Sequence, residues 1–230
     1  WPPNKGDKIR SHHLLRYLAK RYRVHLGTFF DDPEDERHIP QLEALCTSVL
    51  ALPLIPRRAR LRALKGLFHG AALSVPYYRD RALSDWVARQ VKRYDIRQAV
   101  VFSSPMAAYL EPYPEIRRVL DLVDVDSDKW RQYAASKRLP MRAIYAREAR
   151  RLLVFERRSA AAADATLLVS EAEAALFREL APETAERVYP LHNGVDTSFF
   201  DPGMGGASPY PEVVRPLVFT GAMDYWPNEE

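Results

Sequence analysis

The sequence predicts an α/β domain with a doubly wound, Rossmann-like parallel sheet, and three observations carry that expectation. Short apolar runs rich in Val, Leu and Phe alternate with helical patterns nearly throughout, as in parallel sheets covered on both faces. The strand runs are almost continuously apolar, as strands buried on both faces are. The 230 residues are 47% hydrophobic, enough for a sizeable core.

Taken in order, Trp1-Pro2-Pro3-Asn4-Lys5-Gly6-Asp7 reads as a loop leading into a helix. Asp7 suits the N-cap, and Ile9, Leu14, Leu15 and Leu18 keep helical spacing up to Tyr22. A doubly wound domain places a strand before such a loop, so the first strand is expected to lie outside the sequence. Strands are predicted over 23–29, 49–54, 99–103, 119–123, 166–169 and 187–190. A long helix over 140–162 carries Met141, Ile144, Glu148, Leu152 and Phe155 on one side, with Pro140 at its first position. Ser170 caps a helix running through Leu176 and Phe177. Residues 201–215, rich in Gly and Pro, form a linker between a main lobe over 1–200 and the start of a second lobe over 216–230. There, Leu217-Val218-Phe219-Thr220-Gly221 reads as a buried strand ending in a glycine.

Composition narrows the function classes. Cys46 stands alone, which excludes a disulfide framework or thiolate metal cage and points to a buried structural thiol in a reducing compartment. No apolar run approaches the ~18 residues that span a bilayer. The net charge is only +4, but residues 54–97 hold eleven Lys/Arg against three Asp/Glu. That excess of eight asks for an anionic partner.

Three segments are candidate sites. Lys5, Lys8 and Arg10, with Gly6 and Asp7 between them, cluster at a helix N-terminus, where free amides and the macrodipole already favour an anion. Asp121-Leu122-Val123-Asp124-Val125-Asp126-Ser127-Asp128 ends an apolar strand in four carboxylates, at the edge where doubly wound sheets keep their ligands. A calcium loop is rejected, because Lys129 sits where its turn glycine belongs and Ala135 where its bidentate Glu belongs. Asp124 and Asp126 as Asp-x-Asp remain an alternative site for a divalent ion on a nucleotide diphosphate. Finally, 56–70 is amphipathic: Arg58, Arg62, Lys65 and His69 form one stripe beside Leu61, Leu64 and Phe68, the pattern of an interfacial helix on an anionic membrane surface. The apolar continuation 71–75 and Tyr77-Tyr78 suits either lipid headgroups or core.

Other signals are discounted. Neighbouring His12 and His13 point about a third of a turn apart and do not chelate together. Phosphate-loop, dinucleotide-loop and serine-nucleophile glycine motifs are absent.

His192-Asn193-Gly194-Val195-Asp196-Thr197-Ser198-Phe199-Phe200 resembles the Asn-Gly-Val-Asp element that closes the N-terminal lobe of family 4 glycosyltransferases. Glu156, Asp164 and Val169-Ser170-Glu171 are similar to that family's acidic helix, Ala-Asp step and Val-Ser-Glu turn. The segments 2–10 and 219–228 resemble more narrowly the sugar transferases associated with exosortase (PEP-CTERM) systems in bacteria that make exopolysaccharide. The resemblance covers essentially the whole chain.

It implies a two-lobed GT-B architecture, with a glycan or lipid-linked acceptor held mainly by the N-terminal lobe and a nucleotide-sugar donor mainly by the C-terminal one. Transfer would retain anomeric configuration, with no metal or other cofactor expected. Asp124 would occupy the position facing the transferring sugar, with Asp126 beside it. Lys5, Gly6, Asp7, Lys8, Arg10, Ser170, Asn193 and Gly194 would serve the acceptor or an anion. Gly221, Ala222 and Met223 would match the glycine turn approaching the donor diphosphate. The expected location is cytoplasmic, peripheral on the inner face of the membrane. An alternative of another class, a non-catalytic basic module for membranes or nucleic acid, would explain the excess of eight cations over 54–97 but leave the acid cluster unexplained, so a nucleic-acid partner is not expected.

Overall fold

A computed structural model describes residues 6–68, 70–198, 200–201, 203, 210–211 and 213–217. The protein is α/β with parallel sheets. Helix α1 (Gly6–Ala19) leads to β1 (His25–Phe30), and a 3-10 segment (Pro33–His38) and α2 (Ile39–Leu45) lead to β2 (Ser48–Pro53). Three helices follow, α3 (Pro56–Phe68), α4 (Ser74–Tyr77) and α5 (Arg81–Tyr94). Then come β3 (Gln98–Phe102), a 3-10 segment (Ser104–Tyr109) and β4 (Arg117–Val123). The helices α6 (Asp126–Ser136) and α7 (Met141–Ala161) precede β5 (Ala165–Leu168), and α8 (Glu171–Leu180) and a 3-10 segment (Pro182–Arg187) precede β6 (Val188–Pro190). Each of the six strands predicted within 1–200 is present, with ends shifted by no more than two residues; of the run 217–221 read as a further strand, Leu217 is exposed and outside any strand, and the rest lies outside the described residues.

The strands form two parallel sheets rather than the single one expected. One has the order β1-β2, with His25 opposite Ser48 and Phe30 opposite Pro53. The other has the order β3-β4-β5-β6. β4 is central in the second, and its pairing with β5 slips between Asp121 and Val123.

The main core belongs to the four-stranded sheet, where Leu120, Leu122 and Leu168 pack with Phe177 of α8 and Val188 of β6. A smaller cluster joins Ala72, Leu152, Phe155 and Ala108. Of the apolar stretch 71–75, Ala72 is buried in this cluster and Val75 packs against it, while Ala71 is exposed. Two buried side chains fasten this region. Glu148 of α7 accepts from the amides of Leu73 and Ser74 and from Ser74 Oγ, at 2.6–2.8 Å. Arg118 donates to the carbonyls of Leu110, Tyr113 and Ile116. Cys46 is buried, and burial raises its thiol pKa, as expected of a structural cysteine.

By compactness the chain divides into Trp1–Asn193, which holds all of these elements, and Gly194–Glu230. In the second unit the described residues are irregular chain with short turns, Asp196 accepting from Ser198 N and Asp201 from Gly203 N.

Candidate functional site

The acid cluster forms at the carboxyl end of β4, and the fold sorts its four carboxylates. Asp121 is fully buried and accepts a two-pronged bond from Arg10, Nε to Oδ2 at 3.0 Å and Nη2 to Oδ1 at 3.1 Å. The same guanidinium donates to Leu191 O and to Asn193 Oδ1. Arg10 therefore ties α1 to the central strand and to the segment after β6. A planar five-donor fork is suited to such a junction. Asp128 lies in the first turn of α6 and accepts from Arg131 Nε at 2.5 Å and Gln132 Nε2 at 2.8 Å. Burial pushes its pKa up, but those two hydrogen bonds outweigh burial and the net shift is downward.

Asp124 and Asp126 remain, each with about a third of its side chain exposed. Lys129 Nζ lies 2.6 Å from Asp124 Oδ2 and 3.6 Å from Asp126 Oδ1, so an ammonium sits between the two acids, where a bridging divalent ion would stand. Ser104 Oγ donates to Asp126 Oδ2 at 3.4 Å. Desolvation raises the pKa of Asp126; Lys129 pulls it back and the charge of Asp124 pushes it up again. The fields of Asp31, after β1, and of Asp126 both reach Tyr78, whose pKa is raised first by burial. Among the described residues, no group of three or more His, Cys, Asp and Glu side chains is placed to hold a metal ion.

The backbone here is under strain. Val123 has φ +69° and Ser103, at the end of the adjacent β3, has φ +74°. A β-branched residue at positive φ is a true outlier, costing on the order of 1–3 kcal/mol, and such outliers gather at ligand sites. Local bonds hold the turn: Asp121 Oδ1 accepts from Val123 N, Glu173 Oε2 from Val125 N at 2.7 Å, and Asp121 O from Ser103 N at 2.8 Å.

Beneath the cluster lies an acid that sequence reasoning placed only by resemblance. Glu156 of α7 is fully buried, and its Oε1 accepts from Ser127 N at 3.2 Å. Its Oε2, and Ser127 Oγ nearby, make no hydrogen bond. Desolvation lifts the Glu156 pKa to about 8, with the charge of Asp126 adding to the rise. The carboxyl is thus protonated at neutral pH and brings no second buried charge under Asp126. The signal available in sequence was a glutamate adjoining Phe155 on a mostly apolar helix side.

The other predicted residues fare unequally. Lys8 Nζ is 2.7 Å from Asp35, and Arg10 is committed to Asp121, so both make ion pairs within the fold. Gly6 is exposed at the first described position, with open space where a Cβ would stand. Ser170 caps α8, its Oγ accepting from Glu173 N at 3.1 Å. Asn193 meets Arg10, and Gly194 opens the second unit, exposed. Lys5, Gly221, Ala222 and Met223, and the side chains of Asp7 and Lys65, lie outside the described residues.

The amphipathic helix α3 differs in detail from its predicted stripes. Arg62 turns inward, donating to Tyr77 O at 3.1 Å and lying 3.5 Å from Asp80. Ala59 and Gly66 face the protein, and Pro76 approaches within 3.2 Å of where a Gly66 Cβ would be. Leu61 and Leu64 are 65% and 52% exposed, with Arg57, Arg58 and Arg60 exposed around them. Among the described residues, no helix is long and apolar enough to cross a membrane.

Comparison of the sequence with protein-family models and with curated proteins finds no match.

Proposed function

We propose that this chain is the acceptor-side lobe of a retaining glycosyltransferase of GT-B architecture. The full-length enzyme transfers a sugar from a nucleotide-sugar donor to a lipid-linked glycan acceptor in bacterial exopolysaccharide synthesis. The observation that carries the reading is the placement of Asp124. It stands just past a buried parallel strand, on a turn strained at Val123, with two of its three neighbouring acids, Asp121 and Asp128, already taken up by Arg10, Arg131 and Gln132. A carboxylate left partly exposed at a strained strand end fits a group that receives a hydroxyl proton or stabilises positive charge developing on a sugar. Lys129 fixes the orientation of Asp124, and Glu156, protonated below, spares the site a further negative charge.

The lipid-linked acceptor is supported by α3. Two exposed leucines one helical turn apart, ringed by arginines, suit the headgroup boundary of an anionic bilayer on the cytoplasmic side. Such a helix would keep a donor-using enzyme beside a membrane-bound acceptor.

The test is turnover of the full-length enzyme over a panel of nucleotide sugars. Asp124→Asn lowers turnover by at least ~100-fold while stability barely moves, and Asp126→Asn has the smaller effect. If Asp124→Asn instead keeps near-normal turnover while Asp126→Asn abolishes it and manganese becomes necessary, the Asp-x-Asp metal reading replaces this one. Liposome flotation of the parent against Arg58→Glu/Leu61→Glu tests the membrane surface; equal binding by both would remove it.

A further inference from the structure

Between the two sheets lies a cavity of about 1170 Å³, larger than the ~300–1,000 Å³ of ordinary small-molecule pockets. Its lining has an unusual form. Residues 24–31 along β1 and 97–103 along β3 contribute consecutively, not alternately. In a strand alternate residues share a face, so an unbroken run along two strands means that their edges line the space. Both are end strands, since β1 pairs with β2 and β3 pairs with β4, each in parallel. Helices α1 and α5 flank the space, Leu14, Leu15 and Leu18 from one, Leu83, Trp86 and Val91 from the other. No residue of β1 is fully buried, although its sequence is His-Leu-Gly-Thr-Phe-Phe, and Val100 of β3 is 43% exposed. Unpaired strand edges under apolar helices are costly to leave open.

We propose that this slot seats one apolar β-strand, parallel to both β1 and β3, supplied by polypeptide upstream of Trp1. The occupant is chosen by α1. Near its N-terminus, Arg10 bonds Asp121 at the carboxyl end of β4 and Leu191 just past β6; its last turn ends six residues before β1. A helix that begins at the carboxyl ends of parallel strands and feeds the amino end of β1 is the second part of a β-α-β crossover. The strand that starts such a unit lies beside the one it feeds, in right-handed connection. Seated there, it turns two sheets into one of order β2-β1-inserted strand-β3-β4-β5-β6.

The inserted strand has a consequence for the acid site, and that consequence rests on the proposed function. The chain runs from the new strand outward to β1, whereas from β3 it runs outward to β4, so the order reverses between the new strand and β3. Ligand crevices of open α/β sheets lie at the carboxyl ends of such a pair. Ser103, with its positive φ, and Ser104, bonded to Asp126, already stand at the carboxyl end of β3. The strand therefore completes the wall facing Asp124 and Asp126.

Backbone hydrogen exchange of the protein extended upstream through its encoded residues tests the seating without any sugar transfer. Consecutive amides of Leu26–Phe30 and Ala99–Phe102 all exchange slowly, as in strands paired on both sides. In the chain starting at Trp1, every second amide of each stretch exchanges ~100-fold faster, while β5 is unchanged. A synthetic peptide of the upstream sequence restores the protection. Alternating fast amides in the extended protein overturn the proposal, even if the shorter chain does not fold. So does protection in the shorter chain that vanishes on deleting 216–221, which would give the slot to that apolar run, and so does protection that appears only on dimerisation. Turnover loss in Asp124→Asn with no edge protection would sink the strand and leave the enzyme reading standing.

Discussion

The two sheets are made of similar residues and end in different states. In the β3–β6 half, Leu120, Leu122, Leu168 and Val188 are buried, and a buried ion pair and the Ser170-capped helix α8 lie at the edges of the core. In the β1–β2 half, strands as apolar as His-Leu-Gly-Thr-Phe-Phe and Ser-Val-Leu-Ala-Leu-Pro have no fully buried residue. Hydrophobic sequence creates the opportunity for burial; neighbours on both edges and both faces realise it. β4, flanked by β3 and β5, is what β1 would be with a second neighbour. The better-buried half is also the one that carries strain at Val123, because a strained turn survives only where its surroundings over-determine it.

The strongest way to break this contrast is through Arg10. Arg10→Met leaves Asp121 fully buried with no countercharge, and an uncompensated buried charge costs about 3–5 kcal/mol. Urea denaturation reads the loss. Restoring the balance with Asp121→Leu on top of Arg10→Met should recover much of it, since the cost lies in the orphaned charge. A loss under ~1 kcal/mol for Arg10→Met would mean that α1 is not tied to the four-stranded half in solution.

Core truncation compares the halves directly. Leu168→Ala removes a fully buried side chain from the main core and should cost about 2–5 kcal/mol. Leu26→Ala acts on a half-buried strand and should cost less than half as much in the chain starting at Trp1. Equal losses would show that β1 is as well enclosed as β5.

Glu156 gives the β3–β6 half a pH dependence. Its folded pKa, about 8, stands above the ordinary carboxyl value of 4.5, so the unfolded chain releases the proton first. Stability from this group is therefore intact below about pH 4.5 and falls as pH rises, by up to roughly 1.4 kcal/mol per pH unit until about pH 8. Asp126, also raised, adds a slope of the same sign. Glu156→Gln keeps an acceptor for Ser127 N and cannot ionise, so the difference between parent and variant isolates Glu156. Parallel stability curves over pH 5–8 would contradict a buried protonated acid.

Much of this was legible in the sequence, and the boundary has physical causes. Strand positions within 1–200 follow from local apolar runs, and the Ser170 cap follows from one residue's preference, so both are legible locally. How the strands divide into sheets was not legible, because pairing depends on neighbours far away in the chain. Arg10 looked like an anion ligand because its partner is 111 residues distant. Asp124 and Asp126 were singled out from a run of four acids, but nothing local told Asp121, a structural partner, from the rest. Arg62 was assigned to the outer stripe of α3, where a helical wheel puts it, yet its long side chain reaches Asp80 and Tyr77 O. Glu148 was visible on the apolar side of its helix, and its role as cap of α4 required the tertiary fold.

The smallest expected effect sharpens the comparison most, because it asks whether the halves unfold together. Ser170 caps α8 in the β3–β6 half and Asp80 caps α5 beside the β1–β2 sheet, accepting from Ala82 N at 2.9 Å. Each cap satisfies one orphan amide, and replacement by Ala removes about 1 kcal/mol wherever the helix is part of the unit being unfolded. Ser170→Ala should lower global stability by that amount and speed exchange of the slowest amides in β4 and β5 equally. Asp80→Ala loses its weak pair with Arg62 as well, at 3.5 Å and part exposed, which adds little. If β1–β2 and α5 open as a separate unit, Asp80→Ala speeds exchange only in β1, β2 and α5 and leaves the slowest amides of β4 untouched. If the upstream strand is seated and joins the sheets, the faster exchange caused by the same substitution no longer stops at that border and reaches β4, so the two caps become equivalent. Equal and global effects in the chain starting at Trp1 would instead show a single cooperative unit already, and would end the distinction between the two halves.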